Sequence, residues 1–562
     1  MKRFKLFLMV WVLFTGTMNA QTQMTKRQWV QSNLKSMTLR EQIAQLFVIV
    51  CHPRQGEAHI EHVMETIRGE QLGAIIWGAH TPTGYVHLLN RSQSLVRIPM
   101  ISSMDAEWGV SMRIDSVVRF PQQLTLGAIE DNNLIYDFGV EVGRQCKELG
   151  IHINYAPVVD VNNNPQNPVI NMRSFGENKY KVTEKAYAYM KGMHDAGILT
   201  TLKHFPGHGD TDRDSHDELP VILHNKERIH DIELYPFREL FKRGATGVMV
   251  AHLLIPSLSS EIASQSKEIT TNLLRKKMKF KGLVVTDALE MKGALYNRDT
   301  SKVALYALLA GNDLLEVPID VKKSIDEIEK AVKNGTVSKR LIQKKCKKVL
   351  ETKYDLGLHN GFRPIDPAGI LERLNTDHTR ALRTKLSQTS ITLLSNQNIL
   401  PLRSSEVAFI EIGQGGVFKE QLEAFGVRDV FKIDPNGTKE TLDSLSANIG
   451  DHETVVVGCH NVPRGRGAIN YGVDSPVLDF LDRLTSTHKV VLVFFGNPYS
   501  LSNFKDLDHF WAVVAAYDNS DEAQTASANA LFGKQGFYGK LPVTINQKYR
   551  EDFGLIVSDP QL

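Results

Sequence analysis

Between Lys203 and Pro220 the chain reads KHFPGHGDTDRDSHDELP. Histidines and carboxylates crowd this stretch without apolar periodicity, and Pro206, Gly207 and Gly209 deny it a helix. Three chemistries are open to such a loop. Metal binding would use His204 and His208 with the nearby carboxylates, but that spacing holds zinc best when a helix stacks both rings, which Phe205-Pro206-Gly207 forbids. A structural loop would leave Arg213, Asp217 and Glu218 as solvated charges, yet it gives no role to the Lys203-His204 pair ending an apolar run. Acid/base work is the third. Asp214-Ser215-His216 sets a carboxylate and an imidazole two residues apart, on one side of an extended or turned chain. The carboxylate favours the imidazolium and orients the ring, giving a proton donor and then acceptor near neutral pH.

Such a donor needs a partner. Asp287 follows the apolar run of GLVVTDALEM, where a carboxylate can attack a substrate carbon or, less interestingly, cap the next helix. A proton donor and a nucleophilic carboxylate flanking one bond describe retaining glycoside hydrolysis. Neither step calls for a metal or a cofactor, so none is expected.

The elements that must position these groups are short apolar runs alternating with helical patterns. The runs are IAQLFVIV (43–50), QLGAIIWG (71–78), PMISSMDAE (99–107), INYAPVVD (153–160), LTTLKHF (199–205), GVMVAH (247–252), GLVVTDAL (282–289) and DLLEVP (313–318). Unbroken hydrophobicity suits parallel strands buried on both faces, and eight of them with helices between predict a (β/α)8 barrel. In 182–193, Val182, Ala186, Tyr189, Met190 and Met193 share one helical face. Asp105, Lys203, His204, His252 and Asp287 all fall where runs end, the active-site face of a barrel. His252 is expected either to line the pocket or to be a satisfied structural histidine.

Five further runs, in 390–395, 407–413, 454–459, 489–497 and 510–517, predict a second α/β domain, an open parallel sheet sandwiched by helices. LPVTIN (541–546) reads as a short additional strand. GQGG (413–416) lacks a full phosphate-binding fingerprint and reads as a tight strand-to-helix turn. The expected division is an export signal over 1–20, the barrel over 24–360, a Pro/Gly-containing linker over 361–380 and the second domain over 381–562. MKRFK followed by LFLMVWVLF and a small-residue site at Ala20 has the order of a cleavable leader. The product is expected outside the cytoplasm, in the periplasm, with no stable membrane insertion after cleavage. Basic and acidic residues nearly balance, 66 against 63, which argues against nucleic acid as partner. Four scattered cysteines form no framework or zinc motif. The oligomeric state is not written in the sequence.

KHFPGHGDTDRDSHDELP, GLVVTDALEM, NMRSFG (171–176) and NYAPVVDVN (154–162) together resemble glycoside hydrolase family three, and within it the β-N-acetylglucosaminidase branch. The resemblance implies Asp287 as nucleophile and His216, paired with Asp214, as general acid/base. It implies Arg173, Lys203, His204 and Asp105 as ligands of sugar hydroxyls, and an oligosaccharide carrying terminal β-linked N-acetylglucosamine as substrate. DAEWGVSMR departs from the commoner Asp-x-Glu-Gly-Gly-Arg pattern by placing Trp108 where a glycine is usual, so the wall near Arg113 is expected to differ.

Overall fold

The computed structural model describes residues 24–403, 407–460 and 473–558; the leader expected over 1–20 lies outside them. Eight strands form one parallel sheet: β1 (Phe47–Cys51), β2 (Ala74–Trp77), β3 (Ile101–Met104), β4 (Ile153–Asn154), β5 (Leu199–Phe205), β6 (Gly247–Val250), β7 (Leu283–Thr286) and β8 (Leu315–Glu316). Their order is β7-β6-β5-β4-β3-β2-β1-β8. A parallel bridge between Val285 and Leu314, with Thr286 N–H donating to Leu314 C=O at 3.2 Å, joins β8 back to β7 and closes the barrel. The strands carry Val, Ile and Leu on both faces because side chains fill the barrel on one side and helices cover the other.

The helix Lys179–Asp195 shows how local sequence sets an element. Asn178 caps it by accepting from the N–H groups of Tyr180 and Lys181, and Val182, Ala186, Tyr189, Met190 and Met193 are all buried. β4 is shorter than its apolar run. Beyond Asn154 the chain still pairs with its neighbours outside the regular strand: Tyr155 N–H donates to Met104 C=O at 2.9 Å and Val159 N–H to Lys203 C=O at 2.8 Å, carrying residues 155–160 along the end of β5.

The second sheet contains β9 (Thr392–Asn396), β10 (Val407–Ile412), β11 (Val430–Ile433), β12 (Thr454–Cys459), β13 (Lys489–Phe494) and β14 (Ala512–Ala515), in the order β11-β10-β12-β13-β14-β9. Three features depart from the sequence reading. β11 is a half-buried edge strand whose apolar run is too short to stand out. β9 pairs antiparallel with β14, so the sheet is mixed rather than wholly parallel. Residues 541–546 are not a strand. Their backbone bonds to the barrel side instead, where Pro542 C=O accepts from Glu177 N–H at 3.1 Å and Thr544 N–H donates to Glu177 Oε2 at 3.0 Å. Within 361–380, Ile370–Leu374 forms a short helix and Asp377 begins another that runs to Ser390.

GQGG is a turn, with Gly413 and Gly416 at positive φ. Glu411 Oε1 accepts from the N–H groups of Gly415 and Gly416, at 2.9 and 3.3 Å, so the chain's own carboxylate occupies the anion position. All four cysteines are free and buried, and burial pushes their thiols up to about 12. Among the described residues no helix is long and apolar enough to cross a membrane.

Candidate active site

The C-terminal ends of the barrel strands surround a cavity of about 430 Å3. Asp105, Arg173, Lys203, His204, His216 and Asp287 line it, although they stand on five different strand ends and loops. All the lining found among the described residues belongs to the barrel half, between Val50 and Val317.

One wall is an ion network. Lys203 Nζ lies 2.8 Å from Asp105 Oδ1 and 2.7 Å from Glu107 Oε1. Arg113 Nη2 donates to the other Asp105 oxygen at 3.0 Å. Arg173 grips Glu107 with two bonds, Nε to Oε2 at 2.9 Å and Nη2 to Oε1 at 2.7 Å. Burial opposes every charge here, and mutual attraction overcomes it. Burial alone would raise the Glu107 carboxyl, yet Arg173 and Lys203 bring it down to about 2. Burial would likewise lower the Lys203 ammonium, but Asp105 and Glu107 hold it above its ordinary value. The donors and acceptors of this wall are thus charged, paired and rigidly aimed, which suits a polyhydroxylated ligand.

The histidine loop is anchored on Asp160, a fully buried carboxylate at the end of VVD. Asp160 accepts from His204 Nδ1–H at 2.7 Å, from His204 N–H at 3.1 Å and from His208 N–H at 2.7 Å. With Nδ1 donating, His204 Nε2 accepts from Arg173 Nη2 at 3.3 Å. His208 shares Nδ1 with Thr211 Oγ1 at 2.8 Å and Nε2 with Ser215 Oγ at 3.2 Å, and burial lowers its imidazole to about 4. The ring nitrogens that the metal reading required are therefore engaged, those of His204 by Asp160 and Arg173 and those of His208 by Thr211 and Ser215. Two close approaches fix the loop's path. A Cβ on Gly209 would stand 1.9 Å from Val161 O, and Gly207 has φ +135°. The Lys203–His204 and Phe205–Pro206 peptide bonds are cis.

Farther along, His216 Nδ1–H donates to Asp214 Oδ1 at 2.6 Å, and its backbone N–H donates to the same oxygen at 2.8 Å. Asp214 is nearly buried, at 10%, whereas the imidazole is 57% exposed. With Nδ1 committed, Nε2 is the nitrogen presented to the cavity. Gly293 N–H donates to Ser215 O at 3.1 Å, tying this tip to the loop that follows Asp287. Asp287 itself caps no helix with its side chain; Oδ1 accepts from the neighbouring Ala288 N–H at 2.9 Å. Burial works to raise its carboxyl, but the His204 and His252 imidazoles and that N–H keep it below the ordinary range.

His252 does not line the cavity. It is fully buried behind Asp287, with Nε2–H donating to Ala288 O at 3.0 Å and Nδ1 accepting from Ser264 Oγ at 2.8 Å, the satisfied structural arrangement. Three acidic residues escaped the sequence reading of the site. Glu107 stands two residues past Asp105, and Asp160 ends an apolar run just as Asp287 does. Glu316, the last residue of β8, lies on the cavity floor. Burial and the Asp105 and Asp287 charges push its carboxyl well above the ordinary range, which favours its neutral form.

Two family matches cover this architecture. Residues 38–352 match the glycosyl hydrolase family 3 N-terminal domain, and residues 391–554 match the glycosyl hydrolase family 3 C-terminal domain. The chain belongs to glycosyl hydrolase family 3. Among its relatives, beta-hexosaminidase A of Pseudoalteromonas piscicida is 28% identical over 81% of this chain and 84% of its own length. A beta-N-acetylglucosaminidase/beta-glucosidase of Cellulomonas fimi is 24% identical over 92% of this chain and 95% of its own. A solved family 3 beta-N-acetylglucosaminidase from Paenibacillus sp. str. FPU-7 superposes with a TM-score of 0.78 at 28% identity, covering 91% of this chain and 99% of that one. This family 3 chain is a glycoside hydrolase, with the barrel as its N-terminal unit.

Proposed function

We propose that this family 3 hydrolase is an exported, retaining β-N-acetylglucosaminidase that removes terminal β-linked N-acetylglucosamine from cell-wall muropeptides or chito-oligosaccharides. The observation that carries the reading is the shared cavity of Asp287 and His216, with Asp214 hydrogen-bonded to the far side of the imidazole. In the first step Asp287 attacks the anomeric carbon while His216 Nε2–H protonates the departing oxygen. In the second, neutral His216 takes a proton from water, which displaces Asp287 from the sugar with net retention. Asp105, Arg173, Lys203 and His204 hold ring hydroxyls throughout. Asp214 supports both halves, because its charge stabilises the imidazolium and its hydrogen bond fixes the tautomer. The N-acetylglucosamine specificity is supported by the names of the relatives above, and export by the leader pattern of residues 1–20.

A panel of nitrophenyl glycosides tests this directly. The N-acetyl-β-glucosaminide is expected to be cleaved at least about tenfold faster than the β-glucoside, a gap a few well-placed polar contacts supply. The panel is repeated with phosphate and with a chelator. Preference for the glucoside would overturn the sugar assignment, and release of a sugar 1-phosphate would replace hydrolysis by phosphorolysis. Activity lost on chelation and restored by zinc would reinstate the metal reading.

A further inference from the structure

Arg173 ends a tight turn, Asn171–Arg173, and each of its three residues faces a different neighbour. Asn171 has φ +35°, a conformation that side-chain-bearing residues hold only where their surroundings impose it. Its side-chain oxygen accepts from Asn497 Nδ2 at 2.7 Å. Met172 packs in a small apolar cluster with Leu124, Tyr499 and Val543. Arg173 turns the other way, into the cavity, where it grips Glu107.

Asn497 and Tyr499 lie just beyond β13, in the second domain, and both are buried. They form a rigid pair, since Asn497 Oδ1 accepts from Tyr499 N–H at 3.1 Å. Tyr499 reaches the barrel a second time. Its hydroxyl donates to Asn162 C=O at 3.2 Å and accepts from Asn162 Nδ2 at 3.4 Å, two residues from the Asp160 anchor. Asn162 Nδ2 also bonds Asn171 C=O at 3.4 Å, so the same side chain links the Asn497–Tyr499 pair, the strap, to the turn. The segment between Asp160 and Arg173 is thus held from the second domain near both its ends, at Asn162 and at Asn171–Met172.

We infer that Asn497 and Tyr499 are positioning residues for Arg173, so that the second domain sets sugar binding without lining the pocket. The inference rests on the reading of Arg173 as a sugar ligand. Loss of the strap frees the turn, Arg173 departs from its aim, and a displacement of even an ångström weakens its grip on substrate.

The test is a double-mutant cycle between the strap and Arg173. Tyr499→Phe keeps the ring against Met172 and removes both hydroxyl contacts. Asn497→Asp keeps the oxygen that accepts from Tyr499 N–H and removes the donor to Asn171. The substrate is whichever aryl glycoside of the panel is cleaved fastest, so an error in sugar identity leaves the test intact. In the pair variant kcat/KM is expected to fall about tenfold, chiefly through KM, in protein that melts cooperatively. On an Arg173→Ala background the same two changes are expected to cost little more, because they act through the residue already removed. Tyr499→Phe alone serves if the pair variant does not fold. Full additivity, or kcat/KM within about twofold of the parent in a folded strap variant, overturns the inference. Arg173→Ala with unaltered kcat/KM would remove its premise as well.

Discussion

Asp287 and His216 divide the chemistry because their surroundings differ. Asp287 is kept ionised against its burial by two imidazoles and a backbone N–H, which is the state a nucleophile requires. Asp287→Asn is expected to lower turnover by about a thousandfold or more while leaving the melting curve in place. A 2-fluoro sugar with a good leaving group should label the peptide that contains Asp287; label on another carboxylate removes the assignment. His216 stands exposed with Nδ1 bound to Asp214. His216→Ala is expected to slow oligosaccharides by about a hundredfold or more, and aryl glycosides far less in the first step, since a nitrophenolate leaves without a proton. Azide, which needs no base, should then restore turnover and give a β-glycosyl azide. Equal losses on good and poor leaving groups, with no azide product, would contradict the role.

At the scale of elements, the histidine loop is clamped at several points along its length rather than hanging free as a lid. Asp160 holds its start, Asn167 Nδ2 donates to His208 C=O at 2.8 Å, and Gly293 N–H holds the tip beside Asp287. Gly209 permits the closest approach, where a methyl group would meet Val161 O at 1.9 Å. Backbone cannot yield as a side-chain end can, so Gly209→Ala must displace the loop. Activity is expected to drop at least about a hundredfold, in line with an ångström-scale misplacement of His216. Kinetics on a folded Gly209→Ala protein check this, and near-normal kcat would show that the clamp does not govern the acid/base.

Across the whole molecule, buried imidazoles make stability depend on acid. His152 and His208 in the barrel and His460 in the second domain are each lowered to about 4 by burial. In the unfolded chain they titrate near ~6.5. Between those values the unfolded state binds more protons, so stability rises with pH. The contribution is fully present above ~6.5 and is lost as pH falls toward 4. Denaturant midpoints at pH 7.5 and pH 5 are expected to differ, with the acidic midpoint lower for both domains, and equal midpoints would refute this. Below ~4 protonation of Glu107, held at about 2, adds a further loss as the Lys203–Glu107–Arg173 wall discharges.

The alternation of eight apolar runs with helical patterns was enough to specify a barrel, because strands buried on both faces must be continuously hydrophobic. Strand ends were legible too, since polar residues abruptly replace apolar ones there; that is why Asp105, Lys203, His204 and Asp287 stood out. What a linear reading cannot carry is pairing across long sequence separations. Asp160 ends an apolar run as Asp287 does, but only folding sets it under His204 and His208 and so gives it its role. His252 follows its strand as Asp287 does, yet only the barrel's closure decides that one faces the cavity and the other Ser264 and Ala288. The same holds for the antiparallel direction of β9 and for Tyr499 against Asn162. Hydrophobic period is a property of neighbours along the chain, whereas the partners of a buried polar group are chosen by packing, and that choice is made only in three dimensions.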